Sequence, residues 1–321
     1  MKSSKFEVIT IGELNVDLIL DGIDGFPEIG KEKLADNLTN TLGSSSAIFS
    51  SNLSSLGVSV GFIGKIGEDE FGKKVLSSLE GSNVDTRFVI TDENIATGVT
   101  VALNYGEERA MITHQGAMLH LGIDDIADNQ LKEAKHLHFY SYFLQSGIAK
   151  NLDVLMQRAK KAGLTTSFDP QWDPREKWEM DLRNILPYVD VFLPNEAELT
   201  HLSEENNLEK AIETLSKFGN VTVAKLGSNG SAFYKDGSLH KVEPYHNTNV
   251  VDAIGAGDSF NAGFISRFIA GNSIKECARF GNLTGAISTT ESGGTKAFQS
   301  QKQIIKVAKR KFGLNKDQIA L

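Results

Sequence analysis

Short β-type runs separated by helix-length stretches constrain this chain more than any other feature. Strand-like runs stand at Glu7–Ile11, Val60–Ile63, Leu137–Tyr140, Thr165–Phe168, Val189–Leu193 and Val221–Ala224. Between them, apolar residues recur at helical spacing through 44–57, 69–81, 149–162, 195–203, 208–218, 256–270, 273–290 and 301–312. A strand followed by a helix meets its neighbour through a crossover, and crossovers build parallel sheets with helices on both faces. The expected fold class is therefore α/β, with a mostly parallel central sheet. Two segments break the rhythm. Residues 16–40 and 95–114 read as successive strands without a helix, with turn signals at Asp21-Gly22, Asp24-Gly25 and Tyr105-Gly106-Glu107-Glu108. They predict a small β-sheet outside the main layer, acting as a lid inserted into one domain spanning 1–321. There is no Pro- or Ser-rich linker and no internal repeat.

Composition narrows the chemistry. With 321 residues, 40% of them hydrophobic, the chain can bury a large core. Its formal net charge of -8 and the lack of a basic cluster interleaved with aromatics argue against a nucleic-acid partner. One cysteine, Cys277, rules out an intrachain disulfide or a Cys-based zinc cluster, and its helical surroundings predict burial. The seven histidines lack metal-ligand spacing, and His136 and His138 are expected to pack or to face solvent. No apolar run reaches membrane-spanning length and no signal-peptide pattern opens the sequence, so a cytoplasmic, small-molecule protein is expected.

The most chemically informative stretch is Val251-Asp252-Ala253-Ile254-Gly255-Ala256-Gly257-Asp258-Ser259-Phe260. It reads as a glycine-bearing turn that opens a helix. Free backbone amides and the helix dipole make such a turn an anion site, and small residues let a phosphate come close. Asp258 is the odd member, because a phosphate cradle alone would avoid a carboxylate. It suits a base that takes a proton from a hydroxyl attacking a phosphoryl group. It also suits an ordinary first-turn acid, and spacing alone does not choose.

Other polar groups fall just after predicted strands, where ligands collect in α/β sheets. Asn15 and Asp17 offer an amide and an acid on one side of an extended chain, fit for hydroxyls or for a capped turn. Asp169-Pro170-Gln171-Trp172 is a turn or a pocket wall. Asn195 and Glu198 fit a helix cap, and equally a water-and-magnesium site beside nucleotide phosphates. Lys225, Gly227, Ser228 and Gly230 fit a phosphate contact or a hairpin turn. Neither a P-loop nor a G-x-G-x-x-G fingerprint is present.

Taken together, these residues resemble the ribokinase-like (pfkB) carbohydrate kinases over essentially the whole chain. Asp252 through Asp258 is similar to that family's C-terminal Gly-Ala-Gly-Asp signature, and Gly12 through Asp17 to its sugar-binding Asn-x-Asp segment. Gly43 to Gly57 resembles its N-terminal signature, Asn195 and Glu198 its Asn-x-x-Glu motif, and Gly227 with Gly230 its Gly-x-x-Gly turn. The resemblance implies ATP and Mg2+, with a primary hydroxyl of a sugar or sugar acid as acceptor. It implies Asp258 as base, an anion hole of Gly255, Ala256 and Gly257, and substrate contacts from Asn15, Asp17 and Gly43. It places Asn195, Lys225, Gly227, Ser228, Gly230 and Asn282 on the nucleotide side, Glu198 on magnesium through water, and a homodimer through the lid.

Three positions depart from that pattern. Ser44 and Ile48 stand where the family has a second glycine and a substrate-touching asparagine, and Ala253 stands where it has threonine. Ile48 makes the acceptor wall apolar, and Ala253 removes the basis for asserting a monovalent-cation site. Asp169-Pro170-Gln171-Trp172 and Arg109 look nearer the fructokinase and 2-keto-3-deoxygluconate kinase branches than ribokinase. Arg109 reaches a substrate carboxylate bidentately or is an exposed turn residue. The alternatives are a nucleoside kinase of the same fold and a catalytically silent sugar or nucleotide sensor.

Overall fold

A computed structural model describes residues 5–105, 108–219, 221–314 and 319. Thirteen strands are assigned among them: β1 (Val8–Ile11), β2 (Asn15–Asp21), β3 (Asn37–Leu42), β4 (Val60–Gly67), β5 (Asp85–Asp92), β6 (Gly98–Tyr105), β7 (Glu108–His114), β8 (His136–Tyr140), β9 (Thr165–Asp169), β10 (Val191–Phe192), β11 (Val221–Lys225), β12 (Ser231–Lys235) and β13 (Ser238–Val242). The longer helices are α1 (Ser45–Ser55), α2 (Glu70–Gly81), α3 (Leu152–Lys161), α4 (Glu196–Ser203), α5 (Leu208–Ser216), α6 (Ala256–Ile269), α7 (Ile274–Ser288) and α8 (Gln301–Phe312).

Nine strands form one sheet in the order β13-β12-β11-β10-β9-β8-β1-β4-β5. From β11 across to β5 every pairing is parallel, and only the two hairpin strands at the other edge run antiparallel. Strand β1 is fully buried, as a central strand covered on both faces must be. One apolar core joins the sheet to α1, α2, α6, α7 and α8, and a second joins its other face to α3, α4 and α5. Close approach of α6 and α7 depends on small residues. A Cβ at Gly263 would lie 2.1 Å from Thr284 Oγ1, and one at Gly281 2.9 Å from the Phe260 ring. Cys277 lies in this same core, fully buried.

The two rhythm-breaking segments form the second sheet, ordered β3-β2-β6-β7. Strand β2 pairs antiparallel with β3 and parallel with β6, and β6 pairs antiparallel with β7. Gly106 and Glu107, part of the turn signal read at Tyr105-Gly106-Glu107-Glu108, lie outside the described residues. Leu38, Met111 and Ile112 on this sheet are each at least 60% exposed, so it is a layer apart from the core.

His136 and His138 pack inside. The His136 ring nitrogens meet the Thr165 and Ser167 hydroxyls at 2.8 and 2.6 Å, and the His138 ring stacks on Phe49. Burial, outweighing the nearby Asp190 charge, holds the His136 pKa down at about 3. Both of the helix caps that matter for the site form as the sequence suggests. Asn195 and Glu198 make a reciprocal capping box on α4, and Gly255, at φ 73, opens α6 in a left-handed turn that suits glycine.

Candidate active site

Because the parallel strands share a direction, their carboxyl ends bring distant residues together along one edge of the sheet. Glu13 follows β1, Tyr140 ends β8, Asp169 ends β9, Asn195 follows β10 and Lys225 ends β11. The first turn of α6 lies against this edge and places Asp258, only 5% exposed, among them. Two cavities open there. One, of about 480 Å³, reaches towards the second sheet and is lined by Asp17, Ser45, Ile48, Arg109, Gln171, Glu198 and Asp258, among others. The other, of about 350 Å³, runs between the Gly227–Asn229 turn and α7, with Tyr245, Val250, Phe260, Asn282 and Ala286 in its walls. Lys225, Gly227, Ala253 and Gly257 line both. Those four residues mark the passage from one cavity to the other.

Electrostatics at the junction are dominated by carboxylates around one ammonium. Lys225 pairs with Asp169, which is fully buried. Burial works against the Lys225 charge, but Asp169 and Glu198 outweigh it and hold its pKa above the usual lysine value. Asn261, one turn beyond Asp258 on α6, donates to Asp169 and to the Tyr140 hydroxyl (2.6 Å) and so fixes both. Burial pushes the Asp258 carboxyl up to about 8, with the Asp169 charge adding to it and Lys225 opposing. Burial likewise raises Glu198 and Glu13, and one Glu13 carboxyl oxygen is buried without a hydrogen-bond partner. A carboxyl poised near neutrality in a cleft is the signature of an acid–base group.

The amides of the α6 turn are not all equivalent. The Ala256 amide donates to the Ala253 carbonyl at 3.2 Å, whereas among the described residues the amides of Gly255, Gly257 and Asp258 have no main-chain acceptor. The Lys225 ammonium is 3.9 Å from where a Gly257 Cβ would stand, an ordinary contact that sets the lysine beside the turn. Open amides at a helix N-terminus beside a lysine form an anion site.

In the larger cavity Asp17 faces inward, and burial raises its pKa to about 6 against the pull of Asn15 and Arg109. Asn15 and Gly43 stand behind it. Asn15 Nδ2 donates to Asp17 Oδ1 (3.0 Å) and Thr100 Oγ1 (3.1 Å), and a Cβ at Gly43 would fall 2.3 Å from Asp17 Oδ1. Gly43 is therefore a glycine that makes room for Asp17. Arg109 is exposed on β7, paired in register with Asn104, and its side chain lines the cavity. Ser44 caps α1, while Ile48 lines the cavity and packs against Gly294.

On the smaller cavity, Gly227 and Gly230 take φ 57 and 83, which gives the turn its shape, and Ser228 sits between them on the wall. Asn282 Nδ2 donates to the carbonyls of Val242 and Glu243, both at 3.0 Å, tying α7 to β13. Glu198 accepts from the Asn195 amide (2.8 Å) and from Asn195 Nδ2 (2.6 Å), so the capping role is real and the pair still faces the larger cavity. Among the described residues no group of three or more His, Cys, Asp and Glu side chains is arranged to hold a metal.

The sequence reading did not single out Glu13 or Asn261, and left Asp169 and Gln171 as a turn or pocket wall. Asp169 and Gln171 could have been raised by their position at a strand end. Asn261 could have been found at the i+3 position from Asp258, on the same helix face.

Comparison with known proteins places this geometry. A model of the pfkB family carbohydrate kinases matches residues 5–301. An uncharacterised sugar kinase of Archaeoglobus fulgidus is 32% identical over 236 residues, covering 73% of this chain and 92% of that protein. An ATP-dependent ribose-1-phosphate kinase of Halopiger xanaduensis is 29% identical, covering 90% and 94%. An E. coli protein crystallised with ATP and Mg2+ superposes with a TM-score of 0.82 at 26% identity, covering 95% of this chain and 99% of its own.

Proposed function

The chain belongs to the pfkB family of carbohydrate kinases, and from that premise we propose that it moves the γ-phosphoryl group of ATP to a primary hydroxyl of a sugar or sugar acid. The observation that carries this reading is the placement of Asp258. It is buried in the wall of the larger cavity, in the helix turn whose Gly257 lines both cavities, and near Lys225. The smaller, largely apolar cavity takes the nucleoside of ATP, with Gly227, Ser228 and Gly230 along the phosphates. The larger takes the acceptor, with Asp17 and Arg109 towards its hydroxyls or carboxylate and the β2-β3-β6-β7 sheet as a lid over one domain. Among the described residues no aromatic ring lines the larger cavity, which favours a sugar over a nucleoside acceptor. The acceptor oxygen bonds to the γ-phosphorus as the bond to the ADP oxygen breaks, and the acceptor proton passes to Asp258. Lys225 and the open amides of the α6 turn meet the charge on the transferring group.

Magnesium fits the donor set in one way only. Glu198 lines the larger cavity and offers hard oxygen ligands, but among the described residues no protein cage is assembled, so the ion would arrive with ATP and be held by Glu198 through water. When bound, it neutralises phosphate charge. The test is ADP release with Mg-ATP across hexoses, pentoses, sugar acids and nucleosides, alongside the Asp258→Asn protein. Turnover confined to one compound class and reduced about 10²–10⁴-fold in the variant, with calorimetric ATP binding retained, is the expected result. Equal turnover by the variant would refute the assignment.

A further inference from the structure

Gln171 bridges two walls of the acceptor cavity at its catalytic end. Its Nε2 donates to Asp258 Oδ1 at 3.5 Å, and the Ser45 hydroxyl at the start of α1 donates to its Oε1 at 3.3 Å. Its own backbone amide donates to Asp169 Oδ1 at 3.1 Å, so the residue is seated on the carboxylate that holds Lys225. The backbone at Gln171 has φ 59. That left-handed conformation is disfavoured for a side chain of this size and persists when the surroundings demand it. Loop residues in such conformations cluster at working sites.

We propose that Gln171 is a positioning residue for phosphoryl transfer, its amide occupying one oxygen of Asp258 so that the other is turned to the acceptor hydroxyl. An amide suits this place because it donates to the carboxylate with one end and accepts from Ser45 with the other. Asp258 is otherwise faced by Asp169 from β9, Lys225 from β11, Glu13 after β1, Tyr140 from β8 and the Ser45 hydroxyl from α1, which also hydrogen-bonds it. Of these only Lys225 is a cation, so a neutral donor to the ionised Asp258 has leverage. The inference rests on Asp258 being the base.

The experiment compares the parent protein with Gln171→Gly and Asp258→Asn. Glycine suits a positive φ, so Gln171→Gly keeps the fold and is expected to melt no lower than the parent. Carbon-13 carboxyl NMR of the nucleotide-free protein follows Asp258, identified by the resonance missing in Asp258→Asn. Loss of the donor should raise its midpoint by about half a unit or more. In the ADP-release assay kcat should fall about tenfold or more, with the KM for ATP unchanged. An unmoved midpoint, or an unmoved kcat, overturns the proposal. A moved midpoint in a parent protein that binds ATP but phosphorylates nothing instead overturns the kinase reading on which it rests.

Discussion

Ile48 shows how one side chain sets the shape of the acceptor cavity. It is 5% exposed, lines that cavity, and lies so close to Gly294 that a Cβ there would be 2.8 Å from both Ile48 Cδ1 and Cγ2. A contact that short cannot stand, and the flexible end of Ile48 has the cavity to move into. Gly294→Ala should therefore push Ile48 inward and raise the acceptor KM several-fold while leaving the ATP KM near the parent value. Separate saturation curves for the two substrates check this, and equal changes in both would refute it. At this scale the sequence was readable where a residue type is unusual in its setting. Asp258 stands where a phosphate cradle alone would avoid a charge, and Lys225 and Asn195 stand just past strand ends. Asp169 and Asn261 were not readable in the same way, because their roles come from each other. Asn261 Nδ2 donates to Asp169 across 92 residues of chain, and no local pattern announces such a pairing.

At the scale of elements, the second sheet joins the body where β6 begins, and the joint is tightly specified. Asp69 caps α2 and reaches Thr97, accepting from its hydroxyl (2.7 Å) and its amide (2.8 Å), while the Gly67 amide donates to the same hydroxyl (2.9 Å). Backbone crowds in from both sides. A Cβ at Gly67 would stand 2.2 Å from the Ile95 carbonyl oxygen, and one at Gly72 2.2 Å from that of Gly67. Thr97→Val keeps the shape but removes the hydroxyl, leaving the buried Gly67 amide unpaired at a cost of about 1–3 kcal/mol. It should lower the melting temperature by a few degrees and raise the acceptor KM more than the ATP KM, since the loosened joint carries the sheet with Asp17 and Arg109. A melting curve with the two KM values decides it; an ATP effect as large as the acceptor effect would mean the damage is general. The eight longer helices and the strands they alternate with were legible because each carries its own periodicity. Strand β5 was missed, for its Asp85-Thr86-Arg87 start and half-buried edge position blur the apolar run that marks a central strand.

For the whole molecule, burying the carboxyls of Glu13, Asp17, Glu198 and Asp258 along one edge of the sheet sets how stability depends on pH. Carboxyls whose folded pKa is raised bind protons more tightly in the native state than in the unfolded chain. Their contribution is fully present below the unfolded value near 4 and is lost as pH rises through the folded value, about 6 for Asp17 and about 8 for Asp258. Asp69 has the opposite sign: burial raises its pKa, but hydrogen bonds from Thr97 and Gly72 outweigh that and hold it low, so its contribution fades only on acidification. The nucleotide-free protein should thus lose stability between about pH 5 and pH 8. Asp258→Asn resembles the protonated carboxyl and cannot ionise, so it should melt a few degrees above the parent at pH 8, with the gap closing towards pH 5. Melting curves of both proteins across that range test the point, and a gap that is constant with pH would show that Asp258 does not titrate there. If the gap behaves as expected, the substitution that removes turnover also stabilises the fold. The carboxylate would then be held in the wall of the larger cavity at a cost to stability, which fits a base used in catalysis better than a first-turn acid that merely complements a helix dipole.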